Sequence, residues 1–332
     1  MEEKNDKLTS LNSIQDKVRK IRDFVTRTRV QDKLMKNKPL YLQLCSCMDT
    51  VSDTQQAIDA YGSKIDEDAE DYGELYLLIY GLLQSIFVQQ DASIDMAGSL
   101  GMNDQIKNYP ILFDIRETRS QSIGHPTDYT HKDVKRKSFN AIIQHSLNKK
   151  NFEIISYQNP IGKTINKINI EEIIKNQNTY IGEILDNILK EIKRKDQEHK
   201  NTFKNTKFTS CFSVPNDILY FCEKILAVLR SNGGEMPELG KFGIEGVEKS
   251  LGKFSAMLEE RELKIETYPG IESVFNDCKY PVEKIKEHID IILRGEKSTM
   301  DKEAVIIFGE YLFDRLKELL EMAEEIDMEY NS

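Results

Sequence analysis

The chain has 332 residues, about two domains' worth, and a formal net charge of −10. This acidic balance argues against a protein coated in basic surface for bulk nucleic-acid binding. Glycine and proline are sparse, at 17 and 8 residues, which argues against a turn-rich all-β fold. The longest apolar run, Leu75 to Leu83, is too short to cross a bilayer. The N-terminal residues lack the apolar core of a signal peptide, so we expect a cytoplasmic protein that does not enter membranes.

The five cysteines predict neither a disulfide framework nor a metal site. They are odd in number and scattered, and no two of them form a C-x-x-C pair. Cys45 and Cys47 lack a second Cys/His pair at zinc spacing, so they are better interpreted as two small residues on a helix. The acidic cluster 66–71 fits the first turn of a helix, where carboxylates complement the helix dipole. The sequence therefore predicts no metal and no cofactor.

Helical periodicity dominates the chain. It predicts helices over about 8–36, 39–61, 70–100 and 112–123, the last of which ends at Gly124-His125-Pro126. Alternating patterns around 139–146 and 152–157 predict a β-hairpin. Helices resume over about 170–204, and then over about 214–231, 237–265, 271–293 and 300–329. The predicted fold class is mainly α, a helical bundle with a small β-hairpin followed by a second all-α region.

Charge is distributed unevenly along the chain. Residues 1–131 carry 15 basic and 21 acidic side chains, residues 132–210 carry 16 and 9, and residues 211–332 carry 15 and 26. A basic middle segment beside a candidate active site suits a polyanionic substrate. The polar stretch 199–209 is the best candidate boundary, and a second lies near residue 160. We divide the chain into residues 1–160 and 161–332.

One segment has the residues for catalysis, Asp114-Ile-Arg-Glu-Thr-Arg-Ser-Gln-Ser-Ile-Gly-His-Pro126. Walker A, G-x-G-x-x-G, H-E-x-x-H and G-x-S-x-G patterns do not occur. Arg119, five further residues and His125 resemble the R-x4–6-H motif of the HEPN superfamily. The amphipathic stretch 76–95 resembles the helix that packs against the motif helix in those proteins. The resemblance covers about residues 10–130, and extends to 160 if the hairpin belongs to the same domain.

This resemblance implies a HEPN-like helical domain over 1–160 and leaves 161–332 as a helical domain of unknown role. It implies a homodimer that acts as a metal-independent endoribonuclease on RNA, in toxin–antitoxin or phage-defence systems. An antitoxin or regulatory protein is then an expected partner. Ser120 departs from the family pattern, which often has Asn, Asp or His directly after the arginine.

The chemistry of one arginine and one histidine suits RNA cleavage by 2′-hydroxyl attack. At neutral pH, His125 can move protons to and from the 2′-hydroxyl and the 5′-oxygen. Arg119 stays charged and can stabilise the phosphorane-like transition state. We predict support from Arg116, one helical turn earlier, and from Ser120. The polar residues 89–91 on the preceding helix are either helpers of the site or part of an exposed face.

Two other functions stay open. In a non-catalytic dimerisation or adaptor protein, Arg119 and His125 would hold the motif helix in place, with Arg119 paired to Glu117 or Asp114. In an RNA-binding protein, the basic segment 132–210 would bind without cleavage. Both side chains open in a cleft at a dimer interface would favour the enzyme, whereas burial of either one against its own bundle favours the scaffold.

Overall fold

The computed structural model describes residues 2–331 except 70, 128, 132–135, 159–160, 214–217, 232–235, 264–268 and 297–299. Over these residues the chain is mainly helical with one small antiparallel sheet, so the predicted fold class is confirmed. The chain forms two compact units. Unit 1 contains residues 1–27 and 34–193, and unit 2 contains residues 28–33 and 194–332.

The first part of the chain forms helices close to the predicted ranges. These are α1 (Glu2–Val25), α2 (Thr28–Met35), α3 (Lys38–Ser63), α4 (Tyr72–Ser99) and α5 (Pro110–Arg119). The helix predicted over 8–36 is interrupted, because Arg27 adopts an extended backbone with ψ 132°. Asp71 accepts a hydrogen bond from the backbone N–H of Glu74 at 2.8 Å and caps α4. The interpretation of the acidic cluster as a helix start is therefore confirmed at Asp71.

The sheet is larger than the predicted hairpin. Its strands β1 (Tyr129–His131), β2 (Arg136–Ile142), β3 (Asn151–Gln158) and β4 (Gly162–Asn169) are antiparallel neighbours in chain order. The predicted hairpin corresponds to β2 and β3. Strand β4 is rich in exposed polar residues, and it therefore lacks the apolar alternation that would have indicated a strand.

The predicted boundary at 160 lies between β3 and β4, which pair along eight register positions. The change from unit 1 to unit 2 falls instead between Lys193 and Arg194, within α6 (Ile170–Phe203). Backbone hydrogen bonds across a hairpin bind its two strands into one sheet, so a compact unit does not divide there.

Unit 2 is built from helices close to those predicted. They are α7 (Ser210–Ser213), α8 (Ile218–Arg230), α9 (Pro237–Glu260), α10 (Pro269–Leu293) and α11 (Lys302–Asn331). Their apolar stripes form one buried cluster in which Phe254 contacts the rings of Phe208, Phe212 and Phe275. None of the described helices in either unit is both long and apolar enough to cross a bilayer.

Candidate functional site

The helix that carries the Arg/His motif ends in an unusual turn. Residues Ser120–Gly124 continue α5 as a single π-helical turn, closed by a hydrogen bond of 2.9 Å from the His125 N–H to the Ser120 carbonyl. Such turns are rare in proteins, and those that occur are often found at functional sites. The end of the helix at Gly124, expected from the sequence, is confirmed. His125 leaves it with φ −142° and ψ 55°, and its side chain is exposed.

Arg119 is half-buried and folds back toward this turn. Its Nε and Nη2 donate to Oε1 of Gln84 at 3.3 and 2.8 Å, and its guanidinium lies 4.5 Å from the ring centre of Phe87. A Cβ at Gly124 would lie 2.7 Å from Nη1 of Arg119. The guanidinium therefore lies against the backbone of the residue directly before His125, and only glycine leaves room for it there.

Arg116 is bound more firmly than Arg119. Its Nη2 forms an ion pair with Oδ1 of Asp91, its Nε donates to Oε1 of Gln90 at 3.3 Å, and its guanidinium lies 4.3 Å from the ring centre of Phe87. A carboxylate thus neutralises Arg116, whereas Gln84 offers Arg119 a neutral acceptor. These contacts suit Arg116 to positioning the helix, and its binding to a flanking phosphate stays a prediction.

Four buried glutamines connect this helix to the rest of the bundle. We call them the glutamine chain; its members are Gln55 of α3, Gln89 and Gln90 of α4, and Gln177 of α6. All four side chains are fully buried. The interpretation of residues 89 and 90 as part of an exposed face is therefore wrong. Because buried amides need hydrogen-bond partners, their contacts fix how the helices pack.

The glutamine chain runs in one direction away from Arg116. Gln90 Nε2 donates to Gln177 at 2.9 Å, and Gln177 Nε2 donates to Gln89 at 2.8 Å. Gln89 Nε2 then donates to Gln55 at 2.9 Å, and Gln55 Nε2 donates to Oδ1 of Asp59 at 2.7 Å. Burial raises the pKa of Asp59, and the hydrogen bond from Gln55 opposes that effect. The glutamine chain thus extends from the guanidinium of Arg116 at one end to the carboxyl group of Asp59 at the other.

The sequence contained a signal for these glutamines. Gln55 lies between the buried Val51 and Ile58 at spacings of four and three. Gln89 follows Ile86 by three positions, and so both occupy the apolar phase of their helices. A polar residue in that phase indicates a buried hydrogen-bond network, whereas residue type alone suggests an exposed position.

The sheet contacts the chain directly after the motif. The backbone N–H of Asn140 in β2 donates to the carbonyl of Pro126 at 2.6 Å, and the Asn140 side-chain amide lies 3.4 Å from the same oxygen. The residue that follows His125 is thereby fixed to a strand. The carbonyl of Ser120 accepts the hydrogen bond that closes the π-helical turn. A supporting role for the Ser120 hydroxyl stays a prediction.

A metal site does not emerge from the residues that the structure describes. They contain no group of three or more His, Cys, Asp or Glu side chains that could hold a metal ion. The arrangement at the motif offers instead one exposed imidazole and one guanidinium with a neutral partner. Those two groups can exchange protons and stabilise an anion, respectively.

Comparison with known proteins identified no match: no family model fits the chain, and no curated protein or solved structure proved similar to it. The resemblance to HEPN proteins therefore depends on the motif residues, and membership of that superfamily stays a prediction.

Proposed function

We propose that this chain is a metal-independent endoribonuclease of HEPN type that cleaves RNA by attack of a 2′-hydroxyl on the neighbouring phosphate. The observation that carries the proposal is the position of Arg119. Its guanidinium lies against Gly124, directly before the exposed His125, at the end of a π-helical turn. An anion at this turn would meet the permanent positive charge of Arg119, and the exposed side chain of His125 follows directly after the turn.

In this mechanism His125 takes the proton of the 2′-hydroxyl or returns one to the 5′-oxygen. The new bond between the 2′-oxygen and phosphorus forms while the bond to the 5′-oxygen breaks, which gives a cyclic phosphate and a free 5′-hydroxyl. Arg119 stabilises the negative charge on the non-bridging oxygens. A homodimer would bring two copies of His125 to one site, so that one acts as base and the other as acid.

The test is cleavage of total RNA by the purified chain in the presence of EDTA. We expect cleavage products with cyclic 2′,3′-phosphate ends. His125→Ala should lower the rate by about 100-fold or more, the size of effect typical of a lost general acid or base. Arg119→Lys keeps the charge but loses the planar fork, so it should also lower the rate.

His145→Ala is the matched control, because His145 is also exposed and lies in the same unit. It should cleave like the unaltered chain. Full activity of His125→Ala, or equal loss in both histidine variants, would contradict the proposal. Requirement for a divalent cation would contradict its metal-independent chemistry.

A non-catalytic dimerisation or adaptor protein is the second candidate. The observation that favours it is the packing of Arg119 on Phe87 and Gln84 of its own bundle. In that case Arg119→Ala lowers the free energy of unfolding and changes partner binding, but RNA remains intact. The acidic residues of 211–332 suit a surface for an antitoxin or regulatory partner in either case.

A further inference from the structure

The two faces of the sheet differ in character. On one face, side chains such as Ser138, Asn140, Phe152, Ile154 and Ser156 are buried. We call the other the outer sheet face; it presents Phe139, Ala141, Glu153, Ile155, Tyr157, Lys163, Ile165 and Lys167. Directly paired residues point to the same side of a sheet, so the register defines this face.

Aromatic side chains lie side by side on the outer sheet face. Phe139 of β2 is directly opposite Tyr157 of β3, and Tyr157 is directly opposite Lys163 of β4. Phe139 and Tyr157 are 54% and 49% exposed. Directly opposite residues have Cβ atoms about 5 Å apart, which places two aromatic groups and an ammonium group in one row across the sheet.

The next row across the same face is apolar. Ala141 pairs with Ile155, and Ile155 pairs with Ile165, whose side chain is 51% exposed. The face thus combines π surfaces with flat aliphatic surface. Exposed aromatic groups on a small antiparallel sheet are the platform on which unpaired bases stack.

Charge on the sheet contrasts with charge on the whole chain. Residues 136–169 carry six basic side chains and one acidic side chain, although the chain as a whole has a net charge of −10. Two of the six, Lys149 and Lys150, lie between β2 and β3 and pair with Glu74 and Asp66, so the strands themselves carry four. Lys163 and Lys167 belong to the outer sheet face, where Lys167 pairs with the acidic Glu153. This local excess of positive charge favours a polyanion over an acidic or neutral protein surface.

The outer sheet face is connected to the candidate site. Asn140 binds the carbonyl of Pro126 through its backbone N–H at 2.6 Å, and Phe139 is its neighbour on β2. The row of aromatic residues therefore begins one residue from the contact that fixes the chain after His125. A strand of nucleotides that crosses this row would therefore reach β2, the strand to which Pro126 is bound.

From this juxtaposition we propose that the outer sheet face binds single-stranded RNA, with bases stacked on Phe139 and Tyr157 and phosphates near Lys163 and Lys167. The role of that strand as substrate rests on the proposed function, whereas binding itself does not. Stacking requires unpaired bases, so duplex RNA should bind less well. The proposal thus assigns single-stranded RNA as the substrate class.

Binding is measured with the full chain carrying His125→Ala, so that cleavage does not consume the probe. The probe is a fluorescently labelled uridine oligomer of about 12 nucleotides, followed by anisotropy. Phe139→Leu and Tyr157→Leu should each raise Kd by about 10-fold, because leucine keeps apolar area but has no π face. Tyr157→Phe should bind within about twofold of the parent.

Two matched controls separate stacking and charge from general effects of mutation. Tyr72→Leu alters a tyrosine that is 46% exposed on α4 and should leave Kd unchanged. Lys163→Ala should reduce the dependence of log Kd on log salt by about 0.7, the value for one phosphate contact with a single strand. Lys107→Ala, an exposed lysine in the same unit, should not reduce it.

Retention of affinity in both leucine variants would overturn the proposal, and so would equal competition by duplex RNA. If those variants instead change only the oligomeric state, the face is an interface between copies of the chain and the proposal is wrong. Failure of the proposed function gives a different result. In that case the oligomer binds with the expected losses, yet the unaltered chain does not cleave RNA.

Discussion

The interiors of the two units satisfy their buried polar groups in different ways. In unit 1 the glutamine chain joins four side chains to one another across three helices. In unit 2 the buried His199 and Asp327 bind the backbone: His199 lies 3.2 Å from the carbonyl of Arg261, and Asp327 accepts from the N–H groups of Phe208 and Thr209 at 2.7 and 3.0 Å. Its buried Arg29 forms an ion pair of 2.5 Å with Asp196. Hydrogen bonds between two side chains are the less common kind in proteins.

This difference indicates that the two interiors contribute differently to stability and to the exact positions of the helices. A buried network of side-chain amides adds little net stability compared with apolar packing, but it permits only a few arrangements. The network in unit 1 ends on Arg116 of the motif helix, so it specifies where that helix lies. Unit 2 contains a continuous cluster of apolar side chains, and apolar packing of this kind supplies stability with less demand on exact geometry.

The largest expected effect on stability is in the apolar interior of unit 2. Phe254 is fully buried, and its ring centre lies 5.4 Å from that of Phe212. Phe254→Ala should lower the free energy of unfolding by about 3–5 kcal/mol, through lost burial and the cavity left behind. Because the chain has no tryptophan, urea unfolding is followed by far-ultraviolet circular dichroism. Tyr280→Ala, at an exposed position, should cost less than about 1 kcal/mol.

Substitution of Gln177, in the middle of the glutamine chain, should lower the free energy of unfolding. Gln177→Leu removes the acceptor for Gln90 and the donor for Gln89, so we expect a loss of about 2–4 kcal/mol from unpaired buried groups. Gln56→Leu, at an exposed position of α3, should change stability by less than about 0.5 kcal/mol. Equal losses of stability in the two variants would show that the glutamine chain has no special role in the interior of unit 1.

Replacement of the whole glutamine chain separates its effect on stability from its effect on the motif helix. If all four residues become leucine, no glutamine is left without a partner, whereas Asp59 and Asn178 lose the donor Gln55. We therefore expect recovery of part of the stability lost in the single variant. Arg116 then loses Gln90 as an acceptor and is bound to α4 through Asp91 alone, so we expect RNA cleavage below that of the unaltered chain. Normal cleavage by this stable variant would show that the network does not position the motif helix.

Acid should weaken unit 2 through His199. Burial lowers the pKa of His199 to about 4, with help from the nearby cations Lys33 and Arg29. Between pH 6.5 and 4 the unfolded chain therefore binds this proton more readily than the folded one. The stabilisation is complete above pH 6.5 and is lost as the pH falls toward 4, by roughly 1–3 kcal/mol.

The measurement for this prediction is urea unfolding at about pH 7 and pH 5. His199→Gln keeps a donor for the carbonyl of Arg261 but cannot be protonated, so it should flatten the pH dependence. His145→Gln, which changes an exposed histidine, should follow the unaltered chain. A pH dependence that survives in His199→Gln would mean that other groups cause it, among them His288, whose pKa is also lowered by burial.

Sequence periodicity predicted the helices because each one has a buried apolar stripe with regular spacing. The end of the motif helix was equally accessible, since Gly124 and Pro126 act locally on the backbone. The sequence could not predict the π-helical turn or the return of Arg119 to Gln84 and Phe87. The contacts of Arg119 are with a helix more than 30 positions earlier in the chain, and local propensity carries no information on such contacts.

The smallest expected effect on stability concerns two glycines, and it separates the site from its scaffold. A Cβ added by Gly81→Ala on α4 meets no atom within 4 Å, so this variant should gain about 0.5–1 kcal/mol of stability from better helix propensity and leave cleavage unchanged.

Gly124→Ala places a Cβ 2.7 Å from Nη1 of Arg119. The flexible end of Arg119 can move away, so stability should change by less than about 1 kcal/mol. The guanidinium is then displaced from the turn before His125, and cleavage should fall by about 10- to 100-fold. Unfolding curves and EDTA-resistant cleavage rates of both variants check this prediction, and unchanged cleavage by Gly124→Ala would remove Arg119 from the catalytic site.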